Sequence, residues 1–83
     1  SKFYGIQIRM YHSDHPYPHF HAYYGEFAAK FDIRQIQKKE GEFPRRATEL
    51  VLQWASLHQA ELLDNWRRIE REEGGLQPIA PLE

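Results

Sequence analysis

The sequence contains no cysteine, and this absence excludes several kinds of structure and site. Disulfide frameworks, zinc sites built from thiolates and cysteine nucleophiles are all ruled out. A small domain that does without disulfides is typical of a reducing compartment, so we expect a cytoplasmic protein. No apolar run approaches the roughly 20 residues that a membrane-spanning helix needs, so we expect no association with a membrane.

The chain is short, and its net charge is low. Its 83 residues are enough for one domain, which buries only about 60% of its unfolded surface at this size. The formal net charge of −1 argues against a dedicated nucleic-acid binder. Residues 1–46 hold eight Lys/Arg against five Asp/Glu, a balance of +3, and residues 47–83 hold three against seven, a balance of −4. The basic half favours a phosphate or an acidic partner, although two solvated surfaces of different charge are the simpler explanation.

Alternation of apolar and polar residues predicts three strands. We assign them to residues 4–11, 19–24 and 27–33. Residues 12–18 contain two prolines, which are incompatible with regular structure at this spacing and predict a loop.

The second and third strands are predicted to form a hairpin with a two-residue turn of type II′ at Gly25. Pairing Tyr24 with Phe27 makes every pair on one face apolar, including Phe20 with Phe31. A slip of one residue would mix apolar and polar side chains, so the pattern specifies the register. The pairs on the other face are then His19 with Asp32, His21 with Lys30 and Tyr23 with Ala28.

The C-terminal half is predicted to be helical. Apolar residues recur at helical spacing from Ala47 to Ile69, and Pro44 suits the first position of a helix. Polar residues interrupt the apolar stripe, so we expect a bend or break near residues 58–61. Gly74-Gly75 is expected to end the helical part. Before the helix, Ile36 suggests a short fourth strand, and residues 38–42 suggest a polar turn.

The predicted fold is therefore an α+β domain spanning residues 1–75, followed by an extended tail at residues 76–83. Three antiparallel strands, or four with the short one, form a sheet, and a C-terminal helix or bent helix pair covers one face. We expect Phe20, Phe31 and Trp54 to share one core. The opposite face is expected to be open to solvent or to a partner.

Histidines cluster on the face that is predicted to be open. His19 and His21 are two residues apart on one strand, so their side chains point the same way about 7 Å apart. That spacing suits two imidazoles on one metal ion. A third ligand is expected from His12, His15 or Asp32, and such a ligand set suits zinc, nickel or iron.

An ordinary polar face is the competing interpretation of the same residues. Lys30 lies opposite His21, and an ammonium group disfavours a nearby metal dication unless it swings away. His19 opposite Asp32 is also a common cross-strand pair. Because neither histidine belongs to the apolar face, we expect replacement of both by alanine to leave the fold intact.

The same face also suits a macromolecular partner. Tyrosine and arginine are enriched in protein interfaces, and the candidate contact residues here are Arg9, Tyr11, Tyr23 and Lys30. Stacking on nucleotides is an alternative that the net charge disfavours. Arg45 and Arg46 at the helix start suit an anion or acidic partner, or else pair with Glu49.

Two long segments carry a family resemblance, YGIQIRMYHSDHPYPHFHAYYGEF and GEFPRRATELVLQWASLHQAELLDNW. Together they resemble the bacterial family known as domain of unknown function 4160, over nearly the whole chain. Such proteins often have two consecutive prolines before the residue equivalent to His19, where this chain has Tyr17-Pro18.

The resemblance implies no established activity. It implies a gene placed beside one for a second small domain, an arrangement similar to a toxin–antitoxin pair. Two functional hypotheses follow. The first is a non-enzymatic interaction module with a small protein partner, and the second is a small metal-dependent hydrolase or nuclease that uses the histidine cluster.

Overall fold

An antiparallel sheet followed by two helices makes up the part of the chain that the structure, a computed structural model, describes: residues 1–11, 17–71 and 75–83. The strands are β1 (Lys2–Phe3), β2 (Ile6–Arg9), β3 (His19–Tyr24), β4 (Phe27–Asp32) and β5 (Gln37–Glu42), and the helices are α1 (Arg45–Leu57) and α2 (Gln59–Arg71). The predicted α+β class is confirmed. Within the described residues, no helix is long and apolar enough to cross a membrane.

Each strand pairs with its neighbour in sequence, so the five described strands form one sheet in the order β1-β2-β3-β4-β5. The predicted number of three or four strands is too small. Residues 38–42 were expected to form a polar turn, but they belong to β5. All six residues of this edge strand are exposed, so it has no buried face to impose apolar alternation. Ile36 lies in the preceding turn with a φ of 54°.

The predicted register of the β3–β4 hairpin is confirmed at every pair. Tyr24 pairs with Phe27 across the turn, and Phe20 pairs with Phe31 four residues along. Gly25 has a φ of 56°, the left-handed conformation that the first position of a type II′ turn requires. The hairpin therefore separates an apolar face from a polar one, as the alternation indicates.

The two helices are separated at His58, where the sequence predicts a bend or break. The His58 N–H group donates to the Trp54 carbonyl at 3.1 Å and the Ala55 carbonyl at 3.3 Å, which closes the last turn of α1. Pro44 precedes the first helical residue rather than occupying it. At the other end, α2 runs to Arg71, and the predicted stop at Gly74 lies outside the described residues.

The apolar face of the sheet packs against α1 in a core that contains Phe20, Phe31 and Trp54, as predicted. The Phe20 and Phe31 rings stack with centroids 5.3 Å apart, and Trp54 and Phe20 form a T-shaped pair with centroids 5.7 Å apart. All three side chains are fully buried. Because α1 covers this face, the His21 side chain lies on the other side of the sheet.

Replacing Phe31 by alanine should lower the free energy of unfolding by about 3 to 5 kcal/mol. The protein would lose the hydrophobic burial of the ring and also the contacts of the side chains that line the resulting cavity. Urea denaturation followed by circular dichroism measures this loss. Leu57→Ala is the matched control, since Leu57 is 67% exposed at the end of α1, and its effect should stay within about 0.5 kcal/mol. A Phe31→Ala loss below about 1 kcal/mol would show that the sheet faces are assigned wrongly.

Candidate functional site

His19 begins β3 and is buried, although the sequence places it on the face expected to be open. Only 1% of the residue is exposed. Its ring packs against Trp66 of α2 with centroids 4.9 Å apart, and its Nδ1 lies 3.1 Å from the Tyr17 carbonyl oxygen. The expectation that His19 lies on an open face is therefore wrong, because Trp66 of α2 packs against this end of β3.

Lys30 and Asp32 are also buried, at 9% and 5% exposure, so the polar face is not uniformly open. The Lys30 Nζ lies 3.3 Å from the Glu40 carboxylate, its cross-strand neighbour on β5. One Asp32 carboxylate oxygen accepts a hydrogen bond of 2.8 Å from the Gln35 backbone N–H. Asp32 thus stabilises the turn that follows β4, a role that the alternation of residues along the strand does not indicate.

The open part of the face is an aromatic cluster, here called the aromatic ledge, made of Tyr11, His21 and Tyr23. The two tyrosine hydroxyl oxygens lie 3.1 Å apart and share a hydrogen bond. The Tyr11 and His21 rings form a T-shaped pair with centroids 5.0 Å apart. The His21 and Tyr23 rings stack with centroids 6.3 Å apart and an interplanar angle of 11°. Tyr11 is exposed, and the other two rings are half-buried.

Strand pairing places a cation beside this ledge. Arg9 on β2 pairs with His21 on β3, and Gln7 pairs with Tyr23. Arg9 is exposed. Together, the ledge and Arg9 offer two tyrosine hydroxyls, one imidazole and one guanidinium group on the sheet surface. This chemistry suits contacts with a partner rather than enclosure of a small molecule.

The tyrosine pair changes the acidity of one of its members. The hydrogen bond with Tyr11 raises the pKa of Tyr23, and burial raises it further. The positive charge of Arg9 acts in the opposite direction and lowers the pKa of Tyr23, but it does not outweigh the first two effects. The ledge therefore favours the neutral phenol of Tyr23.

The predicted metal ligands are brought together only in part. The ring centroids of His19 and His21 lie 5.4 Å apart, close to the roughly 5 Å expected for two imidazoles on one tetrahedral ion. Among the residues that the structure describes, no group of three or more His, Asp or Glu side chains gathers as a ligand set, so Asp32 does not complete one. His12 and His15 lie outside the described residues.

Arg45 and Arg46 lie on α1, on the opposite side of the sheet from the ledge, and both contact Glu49. The distances from their guanidinium nitrogens to its carboxylate are 3.5 Å and 3.3 Å. The pairing expected from the sequence is confirmed. Because these contacts are exposed, each is worth less than about 1 kcal/mol, and both arginines stay accessible to a partner.

Replacing Tyr11 by phenylalanine should lower the pKa of Tyr23, because it removes the hydrogen bond that raises this pKa most. NMR titration of the assigned tyrosine ring signals measures the change. Because folding raises the pKa of Tyr23, its neutral phenol contributes stability that is fully present at pH values below the unfolded pKa of about 10. This contribution is lost as the pH rises through the folded pKa. Tyr4→Phe is the control, and an unchanged Tyr23 pKa in Tyr11→Phe would contradict the assigned cause.

The family model described as domain of unknown function (DUF4160) matches residues 5–67. The matched range includes β2 to β5, α1 and most of α2, and it therefore holds His21, Tyr23 and Trp66. Neither a curated protein nor a solved structure is significantly similar to the chain. The match covers most of the sequence, so the chain belongs to the domain of unknown function 4160 family.

Proposed function

We propose that the protein is an interaction module that binds a small protein partner through the aromatic ledge and Arg9. The observation that carries the proposal is the hydrogen bond of 3.1 Å between the Tyr11 and Tyr23 hydroxyls, together with the ring contacts of His21. These contacts hold three large side chains in place on an accessible surface. A surface that is ordered before binding loses less conformational entropy when a partner docks.

The composition of the ledge supports a protein partner. Tyrosine and arginine are enriched at interface hot spots because each offers a large contact area and directional hydrogen bonds. A nucleic acid is the less favoured partner, since Lys30 is paired with Glu40 and the whole chain has a net charge of −1. The partner proposed here is a small protein, as in the toxin–antitoxin-like gene pair that the family resemblance implies.

Replacing Tyr23 by alanine should weaken partner binding at least tenfold, because the change removes one ring and leaves the Tyr11 hydroxyl without its hydrogen bond. The partner is first isolated by affinity purification from the source cells and then purified, and binding is measured by isothermal titration calorimetry. Arg9→Ala should act in the same direction and should also reduce the dependence of the association rate on salt.

Tyr4→Ala is the matched control for this experiment. Tyr4 is also an accessible tyrosine, 59% exposed where Tyr23 is half-buried, but it lies in the turn between β1 and β2 rather than on the ledge. Its replacement should leave the affinity unchanged. Equal affinity of the wild type and Tyr23→Ala, or an equal loss in Tyr4→Ala, would contradict the proposed contact surface.

A second candidate function is a metal-dependent hydrolase or nuclease centred on His19 and His21. The pairing of Lys30 with Glu40 favours it, since the Lys30 ammonium is held by β5 at 3.3 Å from a carboxylate. The repulsion that Lys30 would exert on a metal dication is thereby reduced. The 5.4 Å between the two imidazole centroids is also compatible with a shared ion.

Under this second hypothesis, zinc titrated into protein without a histidine tag should shift the imidazole NMR signals of His19 and His21. Binding requires neutral imidazoles, so the affinity should fall as the pH decreases through about 6.5. His21→Ala should abolish the shifts. His58→Ala is the control, because the His58 ring lies at the helix junction, 2.7 Å from Glu61. Signals that stay in place at millimolar zinc would exclude a metal site at these histidines.

A further inference from the structure

The C-terminal tail, residues 76–83, folds back onto the two helices and is held there by contacts to its main chain. The Asn65 side-chain amide donates to the Gln77 carbonyl oxygen at 2.9 Å, and its oxygen accepts from the Gln77 N–H at 2.8 Å. Three residues further along, the Trp54 indole Nε1–H donates to the Ala80 carbonyl oxygen at 2.8 Å. These contacts recognise the peptide backbone rather than particular side chains.

The residues that bind the tail are buried, and they belong to α1 and α2. Asn65 is 4% exposed, and its side-chain NH2 group and carbonyl oxygen each form a hydrogen bond with the main chain of Gln77. The two bonds to Gln77 satisfy the polar groups of this amide while the tail covers it. The helical layer therefore presents polar groups that are complementary to the main chain of an extended peptide.

The tail has the sequence pattern of a polyproline-type ligand. Residues 76–83 form neither helix nor strand, and Pro78-Ile79-Ala80-Pro81 has two prolines separated by two residues. Proline fixes its own φ and biases the preceding residue towards an extended conformation. Both residues whose carbonyls are bound, Gln77 and Ala80, precede a proline. Segments of this kind dock in grooves lined by aromatic residues.

The groove has an apolar wall and space beside the tail. Ile79 packs against the core, and a cavity of about 250 Å³ lies between the tail and the side chains of Ile8, Met10, Trp54 and Leu62. The wall residues and Asn65 fall within the family match at residues 5–67, whereas the tail lies beyond it. The groove thus lies within the matched range, and its occupant lies outside it.

We propose that this groove is a binding site for an extended, proline-containing segment of a partner protein, and that the tail of this chain is its intramolecular occupant. A partner segment with two prolines separated by two residues would make the same contacts with Asn65 and Trp54. It must compete with the tail, whose effective concentration is on the order of millimolar. Arg9 lines both this cavity and the ledge, but the tail contacts of Asn65 and Trp54 involve none of the ledge rings, so the inference does not depend on the function proposed for the ledge.

The proposal predicts that the tail detaches without unfolding of the domain. Hydrogen exchange of the wild-type chain tests this, because the Gln77 N–H is protected by Asn65 and the Ile33 N–H by the Pro18 carbonyl within the sheet region. The Gln77 amide should exchange at least a hundredfold faster than the Ile33 amide. Equal protection of the two amides would show that the tail opens only on global unfolding, and this would overturn the proposal.

Binding in trans is tested with the full chain carrying Ile79→Asp, which weakens the tail and leaves the groove intact. The Asn65 side-chain amide and Trp54 indole NMR signals should move from their wild-type positions and return when a synthetic peptide of residues 75–83 is added. A peptide with Pro78→Ala and Pro81→Ala is the matched control, and it should bind at least tenfold more weakly.

Three results would contradict the inference. The first is a lack of any return of the two signals at millimolar wild-type peptide, which would mean that the groove does not accept a peptide in trans. The second is failure of Ile79→Asp to fold, because the tail would then be an integral part of the domain. The third is equal binding of the two peptides, because the prolines would then contribute nothing to recognition.

Discussion

The pairing of Phe20 with Phe31 across the β3–β4 hairpin is the interaction on which the rest of the structure depends. It places two stacked rings, 5.3 Å apart, beneath Trp54 of α1. Because side chains alternate along a strand, this one pair also directs His21 and Tyr23 to the opposite face. The core and the aromatic ledge are thus two consequences of one register, and a slip of one residue would exchange them.

The polar face is divided by α2. Trp66 packs against His19 at 4.9 Å, so the beginning of β3 belongs to the interior, while the aromatic ledge further along stays accessible. This division changes what the histidines can do. His19 is fixed by packing and by its proximity to the Tyr17 carbonyl, whereas His21 is held by its tyrosine neighbours and remains half-buried. A partner docking on the ledge would therefore contact His21 directly.

The sequence was informative where local pattern and burial coincide. The β3–β4 register and the break at His58 followed from alternation and helical periodicity, because one face of each element is buried. β5 was not predictable in this way, since an edge strand exposed on both sides has no periodic signal. The burial of His19 depends on Trp66, which is far away in sequence. Likewise, nothing local indicates that Asn65 binds the main chain of the tail.

The division of the polar face is tested most directly by the free energies of unfolding of His19→Ala and His21→Ala, measured side by side by urea denaturation. The contact with Trp66 predicts that His19→Ala costs about 1 to 3 kcal/mol, whereas His21→Ala costs less than about 1 kcal/mol. A loss in His21→Ala that equals or exceeds the loss in His19→Ala would contradict this account.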